Sequence, residues 1–179
     1  MAANSLDRFV ERVTAAWGPP TTETVEQCRT ALEDLARSDV HEAWLAALLR
    51  TPPEDAELFR HVEHGFLLLS HGERVGRYRP PHDHGAGWVI YAVAQGEIEM
   101  GTYGRVTDGG RTYLVRRETY RMRAGDARVY LPGDIHDTRC VSDSVLMLRF
   151  TSCDLKREAR EGRLTRYVSD GRRFTAERP

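Results

Sequence analysis

The segment Pro80-Pro81-His82-Asp83-His84-Gly85 carries the most chemically pointed residues of the sequence. In an extended strand, alternate residues project from one face, so His82 and His84 can present two imidazoles to a common point, a chelating arrangement. A third donor must come from another strand, and His136, just beyond the turn Pro132-Gly133-Asp134, is the best placed candidate. Neutral imidazole binds iron, zinc, copper or nickel, and three of them leave other metal positions open to substrate, water or dioxygen. The remaining histidines lack such company. His61 and His64 read as exposed residues at an element boundary, while His41 and His71 have no ligand-spaced partner. Tyr91 and Tyr130 are candidate hydrogen-bond donors to a bound oxygen species. Cys28, Cys140 and Cys153 show neither a CxxC nor a disulfide-like spacing and read as reduced, non-catalytic thiols.

These residues need a scaffold, and the texture of the chain predicts one that is mainly β. From about Leu58 short β-rich segments alternate with glycine and proline turns, the pattern of an antiparallel sandwich or barrel. Candidate strands are 66–70, 75–78, 88–94, 98–103, 112–117, 118–122, 127–131, 138–141 and 145–151. Turns are marked at Gln95-Gly96, Asp108-Gly109-Gly110, Ala124-Gly125-Asp126 and Pro132-Gly133-Asp134. Ahead of them the spacing predicts three helices. The first is capped by Ser5 with Leu6, Phe9, Val10 and Val13 on one face, and the second starts after Thr22 or Thr24 with Val25, Cys28, Leu32 and Leu35. The third follows Ser38 or Asp39 with Val40, Trp44, Leu45 and Leu48, and Pro52-Pro53 stops it. The expected organisation is a helical segment over 1–54, a barrel over 55–155, and a charged extension over 156–179 that packs on the barrel as a solvated element.

Composition narrows the partners. The 179 residues include 26 Lys+Arg and 27 Asp+Glu, for a net charge of −1, which argues against a general nucleic-acid binder. No apolar run approaches the roughly 20 residues of a membrane span, and the N-terminus has no signal-like stretch, so the cytoplasm is the expected compartment.

Pro81-His82-Asp83-His84-Gly85, Trp88, the hairpin Gly96-Glu97, and Gly125-Asp126 followed by Leu131-Pro132-Gly133-Asp134-Ile135-His136 resemble the two cupin motifs, over roughly residues 56–155. The branch they most resemble is the cysteine dioxygenase-type, or thiol dioxygenase, branch. The resemblance implies a double-stranded β-helix (cupin or jelly-roll barrel) behind N-terminal α-helices, with Fe(II) on His82, His84 and His136. Most cupins add a glutamate shortly after the second histidine; Trp88 and Val89 stand there in this chain, favouring a neutral three-histidine site. The branch also implies a substrate-binding arginine ahead of the first motif, which corresponds to Arg60, and the register of its last core strand would turn Arg149 into the barrel. A guanidinium suits an anionic group because it binds a carboxylate through two parallel hydrogen bonds. Two features depart from the pattern. The Ser-x-His-x-Tyr stretch of the branch is replaced by Val145, Met147 and Arg149, and its crosslinking cysteine would fall at about Val89.

The expected function is oxygenation of a small, anionic thiol to a sulfinate by a non-haem iron dioxygenase, with no side chain assigned as general acid or base. Its partners would be a small-molecule substrate and dioxygen, with no nucleic acid and no membrane, in a monomer or homodimer. The alternatives are a three-histidine dioxygenase acting on a diketone, aromatic diol or specialised metabolite, and a non-catalytic metal- or ligand-binding cupin.

Overall fold

In a computed structural model, which describes residues 4–177, three helices precede the β-rich body. They are α1 (Ser5–Ala16), α2 (Thr22–Ala36) and α3 (Ala43–Arg50). Asn4 caps α1 by accepting from the Asp7 N–H, so Ser5 lies one residue further in than the sequence predicts. Its hydroxyl and N–H go instead to the Glu42 carboxylate, at 2.7 and 2.8 Å. Thr21 caps α2. The third helix starts later than Ser38 or Asp39, because the Asp39 side chain bonds the His41 N–H and holds a turn there.

In chain order the strands are β1 (Ala56–Arg60), β2 (Leu67–Arg74), β3 (Tyr78–His82), β4 (Val89–Gln95), β5 (Glu97–Asp108), β6 (Arg111–Arg123), β7 (Ala127–Tyr130), β8 (Ile135–Cys140), β9 (Ser144–Thr151), β10 (Tyr167–Ser169) and β11 (Phe174–Ala176), with α4 (Leu155–Arg160) after β9. One sheet runs β1-β2-β9-β4-β7 and the other β10-β11-β6-β5-β8-β3. The strands β2 to β9 thus alternate between β2-β9-β4-β7 and β6-β5-β8-β3, the order of a double-stranded β-helix.

The first sheet is buried on both faces. Leu68, Trp88, Ile90, Leu148 and Phe150 meet Phe9, Val13, Cys28 and Leu32 of the helices, while Val89, Val93, Val145 and Met147 turn inward to Ile98, Met100 and Met122 of the other sheet. This double burial is why β4 reads as an unbroken apolar run without alternation.

Several boundaries differ from the sequence expectation. The segments 112–117 and 118–122 are one strand, β6, whose long pairing with β5 is broken only by a register shift at Thr102/Tyr103. Residues 75–77 form a turn between β2 and β3. β1 has no expected counterpart, because its pattern AELFR is short and only half-buried. β8 starts at Ile135 and so takes His136 into the sheet. The C-terminal segment is more than a solvated surface: Tyr167 is buried with Tyr103, Leu114 and Ile135, and β11 pairs with β6 at Phe174↔Leu114.

Candidate metal centre

His82 ends β3 and faces His136 of β8 directly across the ladder. His84 lies on the same side of the loop that follows, and its ring centroid is 5.4 Å from that of His82 and 5.1 Å from that of His136. One nitrogen from each of the three lies within 4.8 Å of the others, and no carboxylate joins the group among the described residues. The Nε2 atoms of His84 and His136 are 3.3 Å apart. Two nitrogens each about 2.1 Å from one metal at near-tetrahedral angles lie about 3.4 Å apart, so the donor set fits a transition-metal ion.

The electrostatics suit the same role. Burial pushes the His84 imidazole down to about 3, with His82 and Arg149 adding to the effect. Burial also lowers His82, and holds His136 well below its usual range. All three are therefore neutral at physiological pH and offer lone pairs. His82 Nδ1 lies 2.9 Å from the Pro80 carbonyl, which only accepts, so Nδ1 carries the proton and Nε2 is the free donor atom. The Tyr130 ring stacks on His136 at 4.1 Å, and the Tyr91 hydroxyl lies 3.5 Å from His84 Nε2. Of the two tyrosines, Tyr91 is turned toward the donor atoms. The Tyr130 hydroxyl instead meets Tyr120 and the Met100 sulfur.

Between the first two histidines, the Asp83 carboxylate fixes the loop. Its Oδ1 accepts from the N–H groups of Gly85 and Thr165 at 3.1 and 2.8 Å, and its Oδ2 from Arg105 at 2.8 Å. Glu158 of α4 braces the next residues by accepting from the Ala86 N–H at 3.0 Å, and its bond with Arg163 holds its carboxyl down to about 2. Gly85 is required in this clasp. It has φ +63, and a Cβ there would come within 2.6 Å of the Glu158 carboxylate. Asp83 and Glu158 were not legible as site residues from the sequence, because their partners Thr165 and Arg163 belong to the C-terminal segment.

His82 and His84 open onto a cavity of about 540 Å³ lined by β2, β3, β4, β8 and β9 and by α4 and the segment beyond it. The two candidate substrate-binding arginines part company here. Arg149 lines the cavity opposite Tyr91 on β4 and Leu69 on β2, and its Nε is buried without a partner. No hydrogen bond or ion pair reaches its side chain among the described residues. Arg60 is not brought to the cavity. It lies on the exterior, 43% exposed, paired with Glu57 at 2.7 Å and Asp154 at 3.3 Å.

His71 is a lining residue that the sequence did not single out. The signal available for it is a polar side chain in the alternation Leu67, Leu69, His71, Glu73 on the inward side of an apolar strand. His61 and His64 stack on each other at 4.4 Å, away from the cavity.

No protein-family model and no curated protein sequence matches the chain. Solved structures that it resembles include the cupin domain of Schizosaccharomyces pombe Cnp3, at 17% identity over 65% of this chain and 72% of that one with a TM-score of 0.44. KdgF from Halomonas sp. matches at 18% identity over 54% and 74%, TM-score 0.43. The DMSP lyase DddQ from Ruegeria pomeroyi matches at 21% identity over 57% and 47%, TM-score 0.44. No helix among the described residues is long and apolar enough to cross a membrane.

Proposed function

We propose that this chain is a cupin-type non-haem iron enzyme that uses dioxygen to convert a small anionic thiol to its sulfinate, with Fe(II) on His82, His84 and His136. The observation that carries the reading is the unpaired Arg149 in the cavity lined by His82 and His84, two members of the three-imidazole cluster. A half-buried guanidinium without an anion is costly, and it is neutralised by an anionic substrate. Fe(II) would supply the positive charge that attracts a thiolate and the chemistry with dioxygen.

The chain's own contribution is orientation and exclusion. Arg149 binds the anionic group and sets its distance from the cluster. The Tyr91 hydroxyl, opposite Arg149 on the ladder and 3.5 Å from His84 Nε2, can donate to an oxygen atom beside the donor nitrogens. Met147, Leu155 and Leu164 present apolar surface to the remaining substrate atoms.

The test is oxygen uptake and sulfinate formation by Fe(II)-loaded protein offered a panel of small thiols. Turnover should require an anionic group on the thiol. Arg149→Met should lower kcat/KM by about a hundredfold through lost positioning, and His84→Ala should abolish stoichiometric metal binding. A three-histidine dioxygenase acting on a non-thiol substrate is the second reading. Val145 and Met147, apolar where the thiol dioxygenases carry Ser and His, favour it. Carbon–carbon cleavage of a diketone or diol without sulfinate formation would establish it. Metal binding with no oxygen uptake from any of these would mark a binding protein.

A further inference from the structure

We propose that His71, Thr138 and Arg149 form a second subsite on the cavity wall, which recognises a neutral hydroxyl group carried next to the anionic group of the substrate. The proposal rests on the reading of Arg149 as the anion anchor and adds a requirement to it.

The three side chains line one cavity from different strands. Arg149 faces Leu69 across the β2–β9 ladder, and His71 is the next inward residue of β2, a diagonal neighbour of the arginine. Thr138 lies on β8 two residues from His136 and shares its inward side. All three line the cavity, and each has a buried polar atom with no partner: Arg149 Nε, His71 Nε2 and Thr138 Oγ1. His71 itself is only 6% exposed.

The polarity of each atom is determined by its surroundings. His71 Nδ1 lies 3.4 Å from the Glu54 carbonyl oxygen and 3.5 Å from an Asp55 carboxylate oxygen. Both only accept, so Nδ1 carries the proton and Nε2 presents a lone pair. Burial, with the nearby guanidinia of Arg149 and Arg79, pushes this imidazole down to about 3 and keeps it in that neutral form. Arg149 Nε–H, in contrast, can only donate. A group satisfying both must have a lone pair for Arg149 and a proton for His71.

A hydroxyl has both, and the Thr138 hydroxyl can meet it in either sense. A carboxylate has no proton to give to His71. An ammonium has no lone pair for Arg149 and would stand beside its positive charge; Arg79 is already paired with Glu73. A methylene leaves all three buried atoms unpaired. The implied substrate is thus a small thiol-bearing hydroxy acid, whose anionic group uses the outer guanidinium nitrogens and whose hydroxyl fits between Arg149 and His71.

The experiment compares lactate with propionate on the full-length, Zn(II)-loaded protein by calorimetry, which requires no turnover. Wild type should bind lactate at least about tenfold more tightly, the usual effect of one buried hydrogen bond. His71→Leu should erase the preference, and His71→Gln, whose amide oxygen can accept a hydrogen bond, should retain part of it. In wild type, the His71 Nε2 15N resonance should move with lactate and not with propionate, a readout independent of how the variants fold. Equal binding of the two acids overturns the subsite but leaves Arg149 as anchor if Arg149→Met weakens both. A lactate preference that survives in a folded His71→Leu variant also overturns it, since the hydroxyl would then be read at the metal. Failure of wild type to bind either acid overturns the subsite and the anion-anchor reading together.

Discussion

Replacing Asp83 by Asn tests how the loop that carries His82 and His84 is held. Asp83 is 4% exposed and accepts three hydrogen bonds: two from backbone N–H groups and one from Arg105. Asparagine can keep its carbonyl oxygen on the Gly85 and Thr165 N–H groups, but its amide then meets the Arg105 guanidinium donor to donor. The loss is one charge-assisted bond, about 1.5–3 kcal/mol, with a repulsive contact in its place. Arg105 is 43% exposed and can turn to water, which places the expected cost near the middle of that range, at about 2 kcal/mol. For a domain of this size that corresponds to a fall in Tm of about 4–8 °C. Asp83→Ala leaves both backbone donors unpaired and should cost more, about 3–5 kcal/mol. Asp83 stands between two of the three imidazoles, so metal affinity in Asp83→Asn should fall about 10–100-fold, the usual effect of removing a group that orients ligands. Thermal denaturation of the metal-free protein and calorimetric metal titration measure the two effects separately. An Asp83→Asn protein with wild-type Tm and wild-type metal affinity would refute the claim that this carboxylate organises the site.

Other outcomes follow from the same structure. His71 titrates near 6.5 when unfolded and near 3 when folded, so the unfolded chain binds the extra proton. Metal-free protein should therefore lose stability as pH falls from about 6.5 toward 3, at up to about 1.4 kcal/mol per pH unit from this residue. Denaturant midpoints against pH should have a shallower slope in His71→Gln, and parallel slopes would contradict the assignment. Phe150 is fully buried between the first sheet and the helices, against Phe9, Trp17, Phe66 and Trp88. Phe150→Ala should cost about 3–5 kcal/mol in urea denaturation. Gly96 has φ +83, and a Cβ there would stand 2.1 Å from the Ser144 carbonyl oxygen. Gly96→Ala must shift the hairpin between β4 and β5, and should lower stability by at least about 1–3 kcal/mol in the same assay.

Much of the site was legible because it is local. His82 and His84 stand two residues apart and His136 follows a marked turn, so type and spacing together pointed to the cluster, although the strand that carries His136 starts earlier than the sequence predicts. Arg149 was legible through alternation with Val145 and Met147, which do face the interior. Arg60 was not, because its role came from the resemblance alone, and the short, half-buried strand β1 offers no pattern that would turn its side chain inward. Phe59 packs against the helix-covered core, while Arg60 is left outside with Glu57 and Asp154.

The sequence by itself determined the periodicities: apolar stripes that make helices, alternating strands punctuated by glycine turns, and a histidine pair at two-residue spacing. Only the tertiary structure decided which polar residues share the cavity. The C-terminal segment closes on Asp83 through Thr165, more than 80 residues along the chain, and Glu158 braces Ala86 from α4. The unpaired atoms of His71, Thr138 and Arg149 become neighbours only when β2, β8 and β9 line one barrel. Local spacing reports which face a side chain takes. What stands opposite that face is set by strand pairing between distant segments, and the unmet hydrogen bonds that give this cavity its chemistry arise there.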